Sequence, residues 1–373
     1  MHSKRRRTFD CSLMGSFLIR FTYDGSSFFG LAKQNEESSA SYFKNAPPGV
    51  ERVLSTVEGE LENVLRKANM IKSLAESLCS RCGRTDRGVH ARANYISIRL
   101  RLNPEGEEYN YALIMNGMLP DSIRVVWVRR CPVWFDARFH CLYRMYKYYF
   151  ADTGLDLVKM DTAAQCFVGD HDFKNFCKQD PDNQKTTRRR IFHCRVKKVN
   201  PKVGVVLVTG PAFLWHQVRC IVGCLMDIGN GVHPVSVVND WLYIKQTKPP
   251  YTMAPPDGLV LWDCAFEDIN PNISQMPTAQ GSATQVPAKA HACDENVSME
   301  PLCGGDPLSG NSNVSTALPQ PIPLTPVGSR CPGIPTFEWQ LFQLEIRKCV
   351  LKSLASADND SLSFFKEDAP DFF

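Results

Sequence analysis

The feature that most constrains this chain is the string at residues 82–91, CGRTDRGVHA, together with the run that follows it. The string sets one carboxylate, Asp86, between Arg84 and Arg87, inside two glycines that allow a tight turn and close approach of a substrate to the backbone. Residues 94–100 then alternate as a strand does. We therefore expect Asp86 on a loop that a strand holds in place, where it either caps a turn between its arginines or acts chemically on a bound molecule.

Composition bounds the class of protein. The chain has 373 residues, room for about two domains, with 43% hydrophobic residues and 15 scattered cysteines. No secretory signal is visible and no apolar run reaches bilayer length, so we expect an intracellular protein with reduced thiols and no membrane span. Cys79 and Cys82 form a C-x-x-C, but Cys220 and Cys224 have the wrong spacing for a second pair of ligands, and no metal site is predicted.

Charge divides the chain unevenly. The formal net charge is +4, but residues 269–373 hold 6 Lys+Arg and 11 Asp+Glu, a net of −5. The totals of 43 and 39 then leave 37 and 28, or +9, for residues 1–268. A basic body suggests a polyanionic partner, although an excess of this size is also common in proteins that bind no nucleic acid.

Both ends of the chain are predicted to lie outside the folded body. Residues 1–14 form a basic arm whose Lys-Arg-Arg-Arg run is a nuclear import signal, an RNA contact or a solvated terminus; a mitochondrial presequence is less well supported. Residues 269–335 carry 11 of the 25 prolines among polar residues and predict a disordered linker. Residues 336–373 combine an amphipathic helix, over 337–355, with an acidic tail. We expect the protein in the nucleus, the cytoplasm or both.

Between these ends, strand and helix patterns succeed each other. Residues 17–23 and 123–128 predict strands, and apolar residues at helical spacing predict helices over 56–70 and 109–118. Residues 210–223 open a further helix, and its Arg219 lies one position beyond the centre of the apolar face.

Residues 135–150 interleave aromatic and basic side chains. On a strand, Arg144, Tyr146 and Tyr148 share one face, whereas Tyr143, Met145, Lys147 and Tyr149 share the other. Rings stack on bases and cations meet phosphates, so such a strand suits RNA; a half-buried strand with core tyrosines is the alternative.

Two further features of the second half bear on function. His171, in a G-x-H-D-F pattern, could serve as a general base, but we interpret it as ordering its loop. Arg188, Arg189 and Arg190 follow in one run, either as phosphate contacts or as a solvated charged loop.

Four separated motifs within about residues 16–268 resemble the TruA family of tRNA pseudouridine synthases, in that family's order. They are CGRTDRGVHA, the A-R-F-x-A-x-x-R-x-Y-x-Y pattern beginning at Ala137, G-x-x-F-L-x-x-x-V-R-x-x-x-G over residues 210–223, and A-P-x-x-G-L from Ala254. Cys141 takes the place of the small residue in the second motif. The resemblance implies an α+β fold of two ferredoxin-like halves, residues 15–133 and 134–268, whose antiparallel sheets join around a central basic cleft.

The resemblance also implies roles for individual residues. Asp86 matches the nucleophile, and Arg219 matches the arginine that pairs with it and would keep it ionised. Tyr146 matches the tyrosine that stacks on the target base, Leu259 is a candidate wall of the uracil pocket, and Arg84 would help to open or hold the site. The candidate RNA contacts are Arg87, Arg144, Arg188, Arg189 and Arg190.

The implied reaction isomerises uridine to pseudouridine in tRNA without a cofactor, in a homodimer whose tRNA crosses both subunits. The segments NFCK at residues 175–178 and LAKQ at residues 31–34 resemble the matching segments of the eukaryotic synthases of tRNA positions 38 and 39. Two alternatives stay open: a synthase of the same family acting at other tRNA or messenger RNA positions, and a tRNA-binding or folding module without catalysis.

Overall fold

The computed structural model describes residues 13–34, 54–179, 186–244 and 249–266, together with residue 348. The basic run near the start of the chain, the linker predicted over 269–335 and, Lys348 apart, the helix predicted over 337–355 lie outside the described residues.

The strands of the described part number ten. They are β1 (Met14–Tyr23), β2 (Ser80–Arg81), β3 (His90–Arg101), β4 (Ile123–Arg130), β5 (Cys141–Ala151), β6 (Gly169–Asp172), β7 (Arg188–Ile191), β8 (His193–Asn200), β9 (Val203–Gly210) and β10 (Leu259–Phe266). The strands predicted over 17–23, 94–100 and 123–128 are confirmed, each inside a longer strand.

The described residues also form five α-helices. They are α1 (Val57–Lys67), α2 (Tyr111–Asn116), α3 (Leu157–Gln165), α4 (Gln217–Gly229) and α5 (Val237–Tyr243). Two 3-10 turns, at Gly25–Ser27 and Lys174–Phe176, complete the set. The helix predicted over 109–118 is shorter than expected. Asn110 caps its start by accepting from the Leu113 N–H, and Gly117 ends it.

Eight of the strands form one sheet that runs through both halves. Its order is β4-β1-β3-β10-β5-β9-β8, with β2 paired beside β3; β6 and β7 form a separate two-stranded sheet. Neighbours are antiparallel except β10 and β3, which pair in parallel over only two residue pairs, Val260 with His90 and Leu261 with Ala91. The predicted α+β fold is confirmed, and β10, the last strand of the described chain, joins the two halves.

Local sequence accounts for the first helix. The Thr56 side chain accepts from the Gly59 N–H at the start of α1, and the helix carries acidic residues in its first turn and basic residues in its last. Leu61, Val64 and Leu65 bury its apolar face in the core. A helix patterned in this way docks on the sheet in one orientation.

A close backbone contact fixes the second important helix, α4. A Cβ atom added at Gly223 would lie 2.0 Å from the Thr252 carbonyl oxygen, so only glycine lets α4 lie this close to the segment before β10. The same approach brings Arg219, one turn earlier, against that segment.

Within the described residues, no helix combines the length and the apolar character needed to cross a bilayer.

Candidate active site

Asp86 lies on the loop between β2 and β3, and a side chain of β3 holds the backbone of that loop. The side chain of Asn94, which is fully buried, accepts from the Gly83 N–H at 3.2 Å and donates to the Gly83 carbonyl at 2.9 Å. Asn94 also donates to the Tyr23 hydroxyl at 3.3 Å, and that hydroxyl lies 2.7 Å from the hydroxyl of Thr85. The residue before Asp86 is thus positioned by a buried hydrogen-bond network.

The segment after β1 holds the same loop from its other side. The Leu31 N–H donates to the Thr85 carbonyl at 3.1 Å, and the Gly88 N–H donates to the Phe28 carbonyl at 3.3 Å. Gly30 has a φ of +94°, and a Cβ there would lie 2.7 Å from the Thr85 oxygen. Glycine at this position lets the two backbones touch.

The carboxylate of Asp86 faces the start of α4. Its Oδ2 lies 3.3 Å from Nε2 of His216 and 3.7 Å from Nη1 of Arg219. The side chain of Asp86 is 27% exposed, whereas those of His216 and Arg219 are 14% and 10% exposed. The Arg219 guanidinium thus faces the carboxylate with the opposite charge.

Both partners of Asp86 are fixed by their own backbone surroundings. Arg219 donates from Nε to the Ala254 carbonyl at 2.8 Å, and its own carbonyl accepts from the Ala254 N–H at 3.1 Å. His216 caps the N-terminus of α4 with a φ of +63°, a left-handed conformation that is costly for a non-glycine residue. The turn in this conformation directs the imidazole toward Asp86.

A wall of apolar and aromatic side chains lies beside the loop. Tyr146 is buried, and the edge of its ring meets Phe213 at a centroid distance of 5.2 Å. Burial raises the pKa of Tyr146, so its phenol keeps the proton near neutral pH. On β10, Leu261 pairs with Tyr146 and its Cδ2 lies 2.8 Å from where a Cβ of Gly83 would be, whereas Leu259, also buried, pairs with Tyr148.

The structure separates the predicted arginines by their surroundings. Arg84 and Arg87 are exposed on the loop itself, and the guanidinium of Arg87 lies 4.3 Å from the ring centroid of Phe29. Arg188 and Arg190 are exposed on β7, and Arg189 between them is half-buried, donating to the Thr186 and Arg188 carbonyls.

Arg144 does not fit the prediction of an RNA contact. It is buried at 9% exposure, and its guanidinium donates to the carbonyls of Cys82, Arg138 and Pro211. The two-face pattern of β5 explains this: Arg144 shares the inward face with Tyr146, and backbone carbonyls there replace the water it would otherwise bind. Arg144 therefore braces the start of the Asp86 loop from within.

His171 has both ring nitrogens in hydrogen bonds. Nε2 lies 2.8 Å from the Val168 carbonyl, and Nδ1 lies 2.8 Å from the Tyr243 hydroxyl, on α5. These contacts agree with a residue that orders its loop.

Sequence reasoning missed two residues of this site, His216 and Asn94. His216 lies before α4 in a left-handed conformation, so helical spacing does not predict its position, and only the fold places its imidazole beside Asp86. Asn94 sits in a run that alternates as a strand, and nothing local distinguishes it from an ordinary polar strand residue.

Known tRNA pseudouridine synthases are similar in sequence to this chain. The family model described as tRNA pseudouridine synthase matches residues 163–267. The chain is 36% identical over 300 residues to the tRNA pseudouridine(38/39) synthase of Homo sapiens, covering 71% of this chain and 59% of the human protein. It is 36% identical over 268 residues to the protein of the same name from Saccharomyces cerevisiae, covering 68% and 58% of the two chains. The chain thus spans somewhat over half the length of these two relatives.

An archaeal relative is matched over most of its length. The chain is 32% identical over 258 residues to the tRNA pseudouridine synthase A of Methanosphaera stadtmanae, covering 67% of this chain and 84% of that protein. Identity at this level over that share of a whole protein establishes common descent, and the chain belongs to the TruA family of tRNA pseudouridine synthases.

Proposed function

We propose that this chain isomerises uridine to pseudouridine in tRNA, with Asp86 as the nucleophile. The observation that carries the proposal is the placement of Asp86: a partly exposed carboxylate on a rigidly held loop, 3.7 Å from a mostly buried arginine. A nucleophilic carboxylate must be accessible and fixed in position, and the exposure and the hydrogen-bonded loop of Asp86 support both. The family relationship supplies the reaction class.

The proposed reaction is an isomerisation and needs no reactant other than the uridine itself. The bond from C1′ of the ribose to N1 of uracil breaks, the base turns, and a bond forms from C1′ to C5. C5 loses its proton and N1 gains one. Asp86 forms a transient covalent bond to the substrate. Arg219 offsets the negative charge of the Asp86 carboxylate before this bond forms and after it breaks.

The neighbouring wall is suited to hold the base during this turn. Tyr146 presents a protonated phenol ring, and Phe213 and Leu261 complete an apolar surface next to the loop. A target base must leave its stack to reach Asp86, and an aromatic surface stabilises it once it has been flipped. Leu259 would extend this wall along β10.

Exposed cations around the loop would contact the RNA backbone. Arg84 and Arg87 flank Asp86, and Arg188 and Arg190 lie on β7, whose Arg190 carbonyl approaches Gly210 on the strand that leads to Phe213. Phosphate contacts would supply most of the affinity and make it fall with salt concentration.

We assign positions 38 and 39 of tRNA as the targets, because the relatives that carry those positions in their names share 36% of residues with this chain. We further propose a homodimer and a nuclear or cytoplasmic location, as the resemblance and the basic run at residues 4–7 suggest. Light scattering and fluorescence microscopy of tagged protein test these two points.

The decisive experiment compares wild type with Asp86→Asn, an isosteric change that removes the nucleophile. Each protein is incubated with unmodified tRNA, and pseudouridine is mapped at nucleotide resolution while binding is measured separately. Asp121→Asn, at a carboxylate that is 92% exposed, is the matched control. We expect signal at positions 38 and 39 only with wild type and the control, and unchanged binding by Asp86→Asn.

The other outcomes are equally informative. Signal at other positions would keep the chemistry and overturn the assignment of the targets. Wild-type activity that persists in Asp86→Asn would overturn the role of Asp86. Binding without any product from wild type would favour the non-catalytic module.

A further inference from the structure

Three cysteines that are far apart in sequence meet next to the Asp86 loop. Cys82 begins that loop, Cys141 begins β5, and Cys264 lies on β10. Their Sγ atoms all lie within 4.8 Å of one another, and the three side chains, here called the thiol cluster, are buried. Cys79, the partner of Cys82 in the C-x-x-C pattern, does not belong to it.

The spacing of the thiol cluster is close to that of a metal site. Zinc–sulfur bonds of about 2.3 Å in a tetrahedron place sulfur atoms about 3.8 Å apart, so small side-chain adjustments suffice. Each cysteine also comes from a separate element, a loop and two strands, and these elements are already fixed relative to one another by β10. A preformed set of three thiols of this kind lowers the ordering cost of binding a metal.

A cation lies directly beside the cluster. The guanidinium of Arg144 donates to the Cys82 carbonyl at 3.1 and 2.8 Å, from Nε and Nη2. Three thiolates and one divalent cation carry a net charge of −1, which the buried guanidinium of Arg144 offsets.

We propose that Cys82, Cys141 and Cys264 bind one zinc ion, with a solvent molecule completing the tetrahedron. Binding displaces the thiol protons to solvent. The ion touches no reacting atom; it ties the first residue of the Asp86 loop to β5 and β10. The Cys82 carbonyl is already held by two hydrogen bonds from Arg144, so the metal and the arginine brace the same residue.

The test measures metal content of the full chain, purified without chelators under reducing, anaerobic conditions. We expect about one zinc per chain in wild type by plasma mass spectrometry, and a loss of most of it in Cys264→Ser. Cys194→Ser is the matched control, since Cys194 is an equally buried cysteine on β8 outside the cluster, and it should keep its zinc. Circular dichroism verifies that both variants are folded.

A second measurement on wild type does not depend on any variant. Metal-free protein is titrated with cobalt(II), which should give sulfur-to-cobalt charge-transfer absorption and the visible bands of a tetrahedral site at one equivalent. Wild type with neither zinc nor these bands would overturn the proposal. Equal zinc in Cys264→Ser, or a disulfide within the cluster in the same anaerobic preparation, would also overturn it. Metal content is independent of turnover, so this result stands apart from that of the proposed function.

Discussion

Neutral hydrogen bonds from β3 and from the segment after β1 hold most of the backbone around Asp86, whereas side chains at the start of α4 meet its carboxylate. Arg144, on β5, adds a charged contact to the loop backbone at Cys82. On the first side, neutral hydrogen bonds from Asn94 and the segment 28–31 fix the loop. On the second side, His216 and Arg219 supply charge and polarity. The two sides therefore do different work: one sets where the carboxylate is, and the other offsets its charge in the proposed reaction.

This comparison predicts that changes on the C-terminal side reduce turnover with little loss of stability, and that changes on the N-terminal side reduce stability first. Each variant below therefore needs two measurements, single-turnover kinetics at saturating tRNA and the free energy of unfolding.

The largest effect is expected from Arg219→Gln. Removing a fixed group that offsets charge at the reacting atoms costs about 10²–10³-fold in rate, or about 2.7–4 kcal/mol of transition-state stabilisation. Arg219→Lys keeps the charge but loses the Ala254 contact, so it should retain more activity than Arg219→Gln. Equal loss in both variants would mean that the hydrogen bond to Ala254, and not the charge, is what matters.

A smaller effect, and on stability, is expected from Asn94→Ala. The change leaves the buried N–H and carbonyl of Gly83 without partners, at about 1–3 kcal/mol for such groups. Denaturant unfolding measures this loss. Asn116 offers a matched control, because its side chain makes the same two-way bond with Val125, on the edge strand β4. Asn116→Ala should lose stability but keep full activity; loss of activity in both would break the distinction between the two sides.

The sequence predicts one side of this site better than the other. The motif around Arg219 implies its pairing with Asp86, whereas His216 lies before α4 in a left-handed conformation that helical spacing does not predict. Asn94 and Arg144 act through contacts with residues distant in sequence, and their local patterns look like an ordinary strand. The burial of Arg144, which the sequence makes a candidate RNA contact, depends on three carbonyls that only the fold assembles.

The same limit explains what the sequence left open in the fold. Periodicity located α1 and most strands, since each of these signals is local. The strand β10 pairs with β3 in parallel although the two strands are far apart in the chain. The same placement of β10 in the sheet brings Cys82, Cys141 and Cys264 together. The spacing of residues in the sequence does not predict this pairing.

His216 gives a third and smaller effect. His216→Gln should slow turnover about tenfold, the cost of one hydrogen bond to a charged group at about 1.5–3 kcal/mol, reduced by the remaining contact with Arg219. His216→Gly removes the same ring but relieves the left-handed backbone. We therefore expect His216→Gly to lose at least as much activity while unfolding at an equal or higher denaturant concentration. A less stable His216→Gly variant would show that the ring holds α4 in place, and the division of work between the two sides would need revision.

The smallest effect on the reaction is expected from the double variant Arg188→Gln/Arg190→Gln. Both side chains are exposed on β7 and alternate with the half-buried Arg189, so they lie on one face of that strand. If this face contacts phosphates, the variant should bind tRNA more weakly by several-fold, and the slope of log Kd against log salt should fall by about 1–2. The single-turnover rate at saturating tRNA should stay at the wild-type value, because neither residue touches the carboxylate. Lys72→Gln/Arg124→Gln, at an exposed lysine paired with Glu76 and a half-buried arginine paired with Asp121, is the charge-matched control. An equal fall in slope for the control would show that the overall charge of the body, and not this face, sets the affinity.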